Sequence, residues 1–314
     1  MKLSVIVPVF NEESGLRELH ARLVEAVHPT GMSYEIIYVD DGSADGSLEI
    51  LEVFAKEDHR VKVLSFSRNF GHQNAVTAGL DFCSGDAAVI IDADLQDPPG
   101  LIPGMVEKWK EGFDVVYAVR RKREGETLFK KATAAFFYRF LDRMSDVKIP
   151  LDTGDFRLID RKVIAALKQM PESNRFLRGM VAWTGFRQTG IEYDRDTRFA
   201  GKTKYPLKKM LRFAFNGITS FSTKPLSYVF YLGLIITIIT FLGVLYVLYL
   251  KFFTERTLQG WTSLILAISL LGGIQLLSVG VIGLYISRIT DEVKNRPKYL
   301  LRKRENLDEQ HPVL

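Results

Sequence analysis

Two carboxylates stand one residue apart in Asp92-Ala93-Asp94, followed by Gln96 and by Asp97-Pro98-Pro99. At a strand end, such a pair can project toward one divalent cation. Magnesium and manganese favour oxygen ligands and keep water or phosphate oxygens in their shell, so the ion could bridge a diphosphate. The same residues also suit a plain strand-end turn, and the two prolines fix a rigid corner into whatever helix follows. A second acidic pair, Asp40-Asp41, precedes Gly42-Ser43. A basic run from Arg120 to Arg123 is continued by Lys130 and Lys131; it either binds phosphate, lies against anionic headgroups or is solvated. No G-x-G-x-x-G follows the first apolar run and no G-x-x-x-x-G-K-[ST] occurs anywhere, so a glycine-loop phosphate cradle is missing. The single cysteine, Cys83, lies on an apolar helical stretch and reads as core, as does Trp183. The five histidines show no zinc spacing, which argues against thiol or zinc chemistry.

Positioning those groups falls to a regular alternation of elements. Apolar runs suited to strands occur at Lys2 to Val9, Tyr34 to Val39, Val61 to Phe66, Ala87 to Ile91 and Asp114 to Ala118. Helical periodicity occupies Ser14 to Val27, Ser47 to Lys56, Asn74 to Phe82 and Leu101 to Trp109. Strands alternating with helices predict an α/β, doubly wound, mostly parallel sheet, whose ligands bind at the carboxyl ends of the strands. Read at those ends, the chain gives Pro8 to Glu13, Asp40 to Ser43, Ser67 to Gly71 and Asp92 to Asp97. The polar and acidic residues therefore gather on one edge.

The chain has 314 residues, 47% hydrophobic and 25% charged, enough for a large folded domain rather than disorder. Charge is divided unevenly: residues 1–201 carry 27 Lys+Arg against 31 Asp+Glu, residues 202–314 carry 15 against 6. Within that last third, 225–250 and 260–287 are uncharged and longer than the ~20 residues a membrane helix needs. Basic flanks at 202–224 and 288–314 enclose a nearly neutral loop at 251–259, so the positive-inside rule predicts a hairpin with an external loop. The domain at 1–201 and the basic tail then share the cytoplasmic side, and MKLSVIVPVF turns polar too soon for a secretory signal. Between domain and hairpin, Leu207, Met210, Leu211, Ala214, Ile218 and Phe221 fall opposite Lys208, Lys209 and Arg212. This is an amphipathic helix that lies at the headgroups or packs on the domain. Gly272, Gly273, Gly280 and Gly283 suggest close packing within the hairpin or an oligomer.

Taken together, VIVPVFNEE, VDDGSADGS, LSFSRNFGHQNAVTAGLDFCSGD, IDADLQDPP, VVYAVRRKREGE and TGDFRLIDRKV resemble the family 2 inverting glycosyltransferases of nucleotide-sugar (GT-A, Rossmann-like) fold. More narrowly, they are similar to polyprenyl-phosphate glycosyltransferases, the GtrB-type bacterial glucosyltransferases and dolichyl-phosphate mannose synthase. The resemblance covers residues 1 to about 300. It implies that Pro8, Phe10, Glu12, Asp40 and Asp41 line the nucleoside pocket and that Asp92, Asp94 and Gln96 hold a Mg2+ or Mn2+ ion with the diphosphate. It further implies that Arg120 meets the diphosphate, that 121–131 is a mobile acceptor loop, and that Asp155 and Arg157 stand near the reacting phosphate. Lys204 falls in a closing loop, 198–204, with threonine where serine is commoner. The implied reaction moves a hexose, glucose first, from a UDP-sugar to undecaprenyl phosphate at the inner membrane, in a homo-oligomer with no nucleic-acid partner.

In that reaction, charge builds on the leaving diphosphate, where Asp94, a cation and Arg120 would stabilise it. A phosphate acceptor with a second pKa near ~6 is already anionic, so Asp155 either orients the acceptor or acts as a base. N-acetylglucosamine or another sugar is the alternative cargo. A processive polysaccharide synthase is a further alternative, although no tryptophan follows an arginine as in Q-x-x-R-W. A non-catalytic membrane scaffold would have had little use for the retained acidic residues.

Overall fold

The first apolar run, Lys2–Val9, forms β1 and is buried on both faces, as a central parallel strand must be when helices cover both sides. Leu3, Val5, Val7 and Val9 face a core shared with α1 (Leu16–Val27), α2 (Ser47–Glu57) and α4 (Ile102–Lys110). On the opposite face α3 (His72–Phe82) packs so closely that a Cβ at Gly79 would overlap Ile6. The computed structural model describes residues 1–121, 153–173, 175–194, 224–253 and 260–307.

Beside β1 lie β2 (Ser33–Asp40) and β4 (Ala87–Ile90), both parallel to it, and β3 (Val61–Phe66) continues outward from β2 in the same sense. The expected strands and helices thus form within one or two residues of their predicted bounds. Three further strands come from β5 (Val115–Arg120), β6 (Thr153–Asp160) and β7 (Gln188–Tyr193), with α5 (Arg161–Lys168) and α6 (Leu177–Trp183) between the last two. β6 inserts between β4 and β5 and runs antiparallel to both. The whole order is β7-β5-β6-β4-β1-β2-β3-β8, a mixed but mostly parallel α/β sheet.

Two long helices, α7 (Lys224–Phe253) and α8 (Trp261–Val293), are each long and apolar enough to cross a membrane. They form a unit separate from the one that contains all eight strands. α8 continues past the expected limit at Ser287. Among the described residues, nothing lies within 4 Å of a Cβ placed at Gly272, Gly273, Gly280 or Gly283.

Beyond α8 the segment expected as a basic tail instead supplies β8 (Leu301–Glu305), antiparallel to β3 at the sheet edge. Asn306 Nδ2 donates to the carbonyls of Ala55 and Val61, and Lys303 pairs with Glu52 at 2.7 Å. Cys83 is buried, as expected, and burial pushes its thiol up to about 11. Trp183 is not core: it is 65% exposed at the end of α6. Leu177, Met180 and Val181 define the buried face of α6, and helical spacing carries that face to position 184 rather than 183.

Candidate active site

Where β2 and β3 lie to one side of β1 and β4 to the other, the strand order reverses and leaves a crevice at the carboxyl ends. A cleft of about 280 Å³ occupies that place. Pro8, Phe10 and Glu12 supply one wall from the end of β1, Asp92 and Asp94 the other from the end of β4. Asp41, Asn69, Gly71 and His72 close it from the neighbouring loops. Phe10 is 46% exposed, leaving an aromatic face open at the rim.

The walls are laced together by short polar contacts. The Asn11 amide donates to Ser43 Oγ, and Asn11 Oδ1 accepts from the Ala44 amide at 2.8 Å. Asn11 takes a left-handed φ of 56°, a conformation asparagine tolerates. Asp41 accepts from the amides of Phe70 and Gly71 at 2.6 and 3.0 Å, fixing the loop that carries His72. Asp40, by contrast, does not line the cleft: its buried carboxylate accepts from the Ser43 amide and from Ser65 Oγ. Its place at the last position of β2 turns it into the sheet, so it supports the loop rather than touching a nucleoside.

Asp92 Oδ1 is buried, accepts no hydrogen bond, and lies 3.5 Å from His72 Nε2. Burial raises the Asp92 carboxyl to about 6; His72 opposes that rise, while Asp155, Asp97 and Asp94 add to it. A buried carboxylate oxygen left without a donor, beside a second carboxylate facing the same cleft, fits a divalent cation. Among the described residues no group of three His, Cys, Asp or Glu side chains is arranged to hold a metal ion by itself, so phosphate and water would complete the shell. Gln96 is outside the lining; its backbone amide donates to Asp94 Oδ1 at 3.1 Å and shapes the turn. Between them Leu95 has a φ of 59°, strained for a bulky residue, with its side chain buried in the core.

Asp155 and Arg157 alternate on one face of β6. Asp155 is gripped by Arg178 Nε at 2.7 Å, with His72 Nε2 at 3.1 Å and Gln73 Nε2 at 3.2 Å. Burial would raise its carboxyl, but the bond from His72 and the Arg178 charge hold it well below the ordinary range. His72 is itself raised: burial works against that, and Asp155 and Asp92 outweigh it. Arg157 is buried, donates to the Gly154 carbonyl at 2.9 Å, and is lowered to about 10 by burial. It supports β6 rather than lining the cleft.

Arg120 ends β5 and donates through Nε to Tyr193 Oη at 3.2 Å, while the Tyr193 hydroxyl donates to the buried Asp97. A Cβ at Gly154 would come 3.0 Å from the Arg120 guanidinium, so the glycine of TGDF keeps room for it. His72, Arg178, Tyr193 and Asp97 were not expected as site residues. Arg178 has no motif of its own; only the need of a buried Asp155 for a cation points to it. Lys204, the 198–204 loop, the basic residues 122–131 and the amphipathic helix at 207–221 lie outside the described residues.

The fold is a mixed, mostly parallel α/β sheet of nucleotide-sugar type, and two carboxylates line the cleft at its switch point. The chain belongs to glycosyl transferase family 2, whose model matches residues 4–167. It is 56% identical over 303 residues to the uncharacterized glycosyltransferase YkcC of Bacillus subtilis, spanning 96% of this chain and 94% of that one. It is 42% identical to the SfII prophage-derived bactoprenol glucosyl transferase of Shigella flexneri, over 96% and 98% of the two chains. Likeness of shape to a solved Staphylococcus aureus TarS in complex with UDP-GlcNAc is weak: TM-score 0.49 at 18% identity, over 70% of this chain and 66% of that one.

Proposed function

We propose that this glycosyltransferase moves a hexose, glucose, from UDP-glucose to undecaprenyl phosphate at the cytoplasmic face of the membrane, with inversion at the sugar carbon. The observation that carries this reading is the carboxylate-lined cleft at the β1/β4 switch point, in a chain matched along 96% of its length by a bactoprenol glucosyl transferase. The uridine would lie against Phe10 and Pro8 with its diphosphate toward Asp92 and Asp94. A Mg2+ or Mn2+ ion on those two carboxylates would supply charge neutralisation to the leaving diphosphate.

Arg120, steadied by Tyr193, faces the same developing charge. Asp155 orients rather than abstracts: its carboxylate is already committed to Arg178 and His72, and a phosphate acceptor needs no strong base. Two helices apolar and long enough to cross a membrane, in a chain that also folds a strand-bearing unit, suit an acceptor whose polyprenyl tail stays in lipid. A homo-oligomer belongs to the same reading, since small residues such as the glycines of α8 let helix backbones approach closely.

The test is transfer of radiolabel from a panel of UDP-sugars to undecaprenyl phosphate by the purified chain, with and without divalent metal. Metal-dependent label in the lipid phase from UDP-glucose is the expected result. Label only from UDP-N-acetylglucosamine corrects the sugar, and nucleotide binding without lipid product removes the acceptor. Replacing Asp94 by Ala should cost at least ~100-fold in turnover, as loss of a preorganised electrostatic group does.

A further inference from the structure

The cleft is held from behind by a residue outside every motif that drew attention to it. Tyr299 lies in the segment after α8, two residues before β8. Its ring stacks on Phe66 at the end of β3, with centroids 5.1 Å apart and planes 11° from parallel. Phe66 meets Phe70 edge-on at 5.7 Å and 88°. The Phe70 amide donates to Asp41, and its neighbours Asn69 and Gly71 line the cleft. Two more contacts hold the same loop, and a third ties Tyr299 to α3. The Ser67 amide donates to the Leu300 carbonyl at 3.0 Å, the Arg68 guanidinium lies 3.9 Å over the Phe70 ring, and the Tyr299 hydroxyl donates to Asp81 on α3 at 2.9 Å.

We infer that Tyr299 is a positioning residue for the donor: through the Phe66 and Phe70 rings it sets the loop from Ser67 to Gly71 against Asp41 and so fixes one wall of the nucleotide cleft. Asp41 grips this loop from the cleft side and Tyr299 backs it from the far side. The loop contains Gly71 at φ 98°, a position with few conformational restraints of its own, so its geometry depends on the contacts that hold it, these two supports among them. Asp81 lies near the carboxyl end of α3, and His72 begins that helix, so the hydroxyl bond anchors the same helix at its other end.

This inference rests on the reading of the cleft as the donor site. The experiment compares the full chain with Tyr299→Ala, Tyr299→Phe and Phe70→Leu in detergent or nanodiscs. It measures UDP binding, donor and acceptor KM, kcat and the unfolding temperature. An aromatic contact is worth up to about 1.5 kcal/mol beyond its buried area, so Tyr299→Ala should raise donor KM and the UDP dissociation constant roughly three- to tenfold. Acceptor KM should stay put. Tyr299→Phe keeps the stack and should recover most of the loss.

An unfolding temperature that drops with donor KM unchanged overturns the inference and leaves Tyr299 a structural residue. Failure of Phe to rescue overturns the ring path. If Tyr299→Ala does not fold, Phe70→Leu interrupts the same path with Tyr299 in place and must raise donor KM, or the inference fails. A wild-type chain that binds no UDP brings down the donor reading itself, which is distinct from a wild type that binds and a Tyr299→Ala that binds as well.

Discussion

Glu35 sits at the amino-terminal half of β2, far from the cleft end of the strands, with 1% of its side chain exposed. Burial alone would raise its carboxyl; bonds from Lys2, Ser4, the Ser84 amide and Lys62 outweigh that and hold it at about 2. Because the folded value lies below the ordinary one of 4.5, its stabilising effect is present above pH ~4.5 and drains away as pH falls toward ~2. Glu35→Gln should therefore lower stability at neutral pH by about 3 kcal/mol, and the gap from wild type should close through that acid window in denaturant titrations. Beside the cleft, Arg178→Met removes the partner nearest Asp155, at 2.7 Å, and should cut kcat at least ~10-fold with little change in donor KM. That Asp92 and Asp94 gather at the strand-end edge could be read from the sequence, since a carboxylate pair at a strand end is a local pattern that also suits a plain turn. The grip on Asp155 could not: Arg178, His72 and Gln73 meet it only through the sheet register and the placement of α3 and α6.

Elements that bury both faces announce themselves by unbroken apolar runs, and β1 to β5 were legible for that reason. β8 was not. Its sequence, Leu-Arg-Lys-Arg-Glu, has no apolar alternation, and its place comes from backbone pairing with β3 plus Lys303 at its middle and Asn306 just past its end. β6 was hidden differently, because an antiparallel strand slipped between β4 and β5 breaks the simple βα order from which the sheet was inferred. The tight seat of α3 on β1 gives an element-scale prediction. Gly79→Ala pushes into Ile6 and should cost about 1–3 kcal/mol, read as a lower unfolding temperature with the cleft residues untouched. Removing the β8 residues should do more, exposing the β3 edge and driving association visible by size-exclusion chromatography.

For the whole molecule, charge asymmetry and two long apolar stretches were enough to suggest a hairpin, and the structure adds an independent constraint. β8 follows both apolar helices yet completes the same sheet as β1, so if those helices cross a membrane the chain must cross it an even number of times. A reporter fused after Leu314 should accordingly read as cytoplasmic, together with one placed before Met1, and a tag in the 251–259 loop should be reached from outside. External signal from the Leu314 fusion alone would remove the hairpin, and external signal from both fusions would reverse its orientation.

The late position of β8 also orders events in time. A ribosome makes β1 to β7 first, then the two apolar helices, and only afterwards the strand that covers the β3 edge and the tyrosine behind the nucleotide wall. While the chain is being made, that edge stays open and the loop above it lacks its backing. The sheet is finished only after both apolar helices have emerged, so a chain interrupted before its last residues would carry every acidic cleft residue and still lack its last strand.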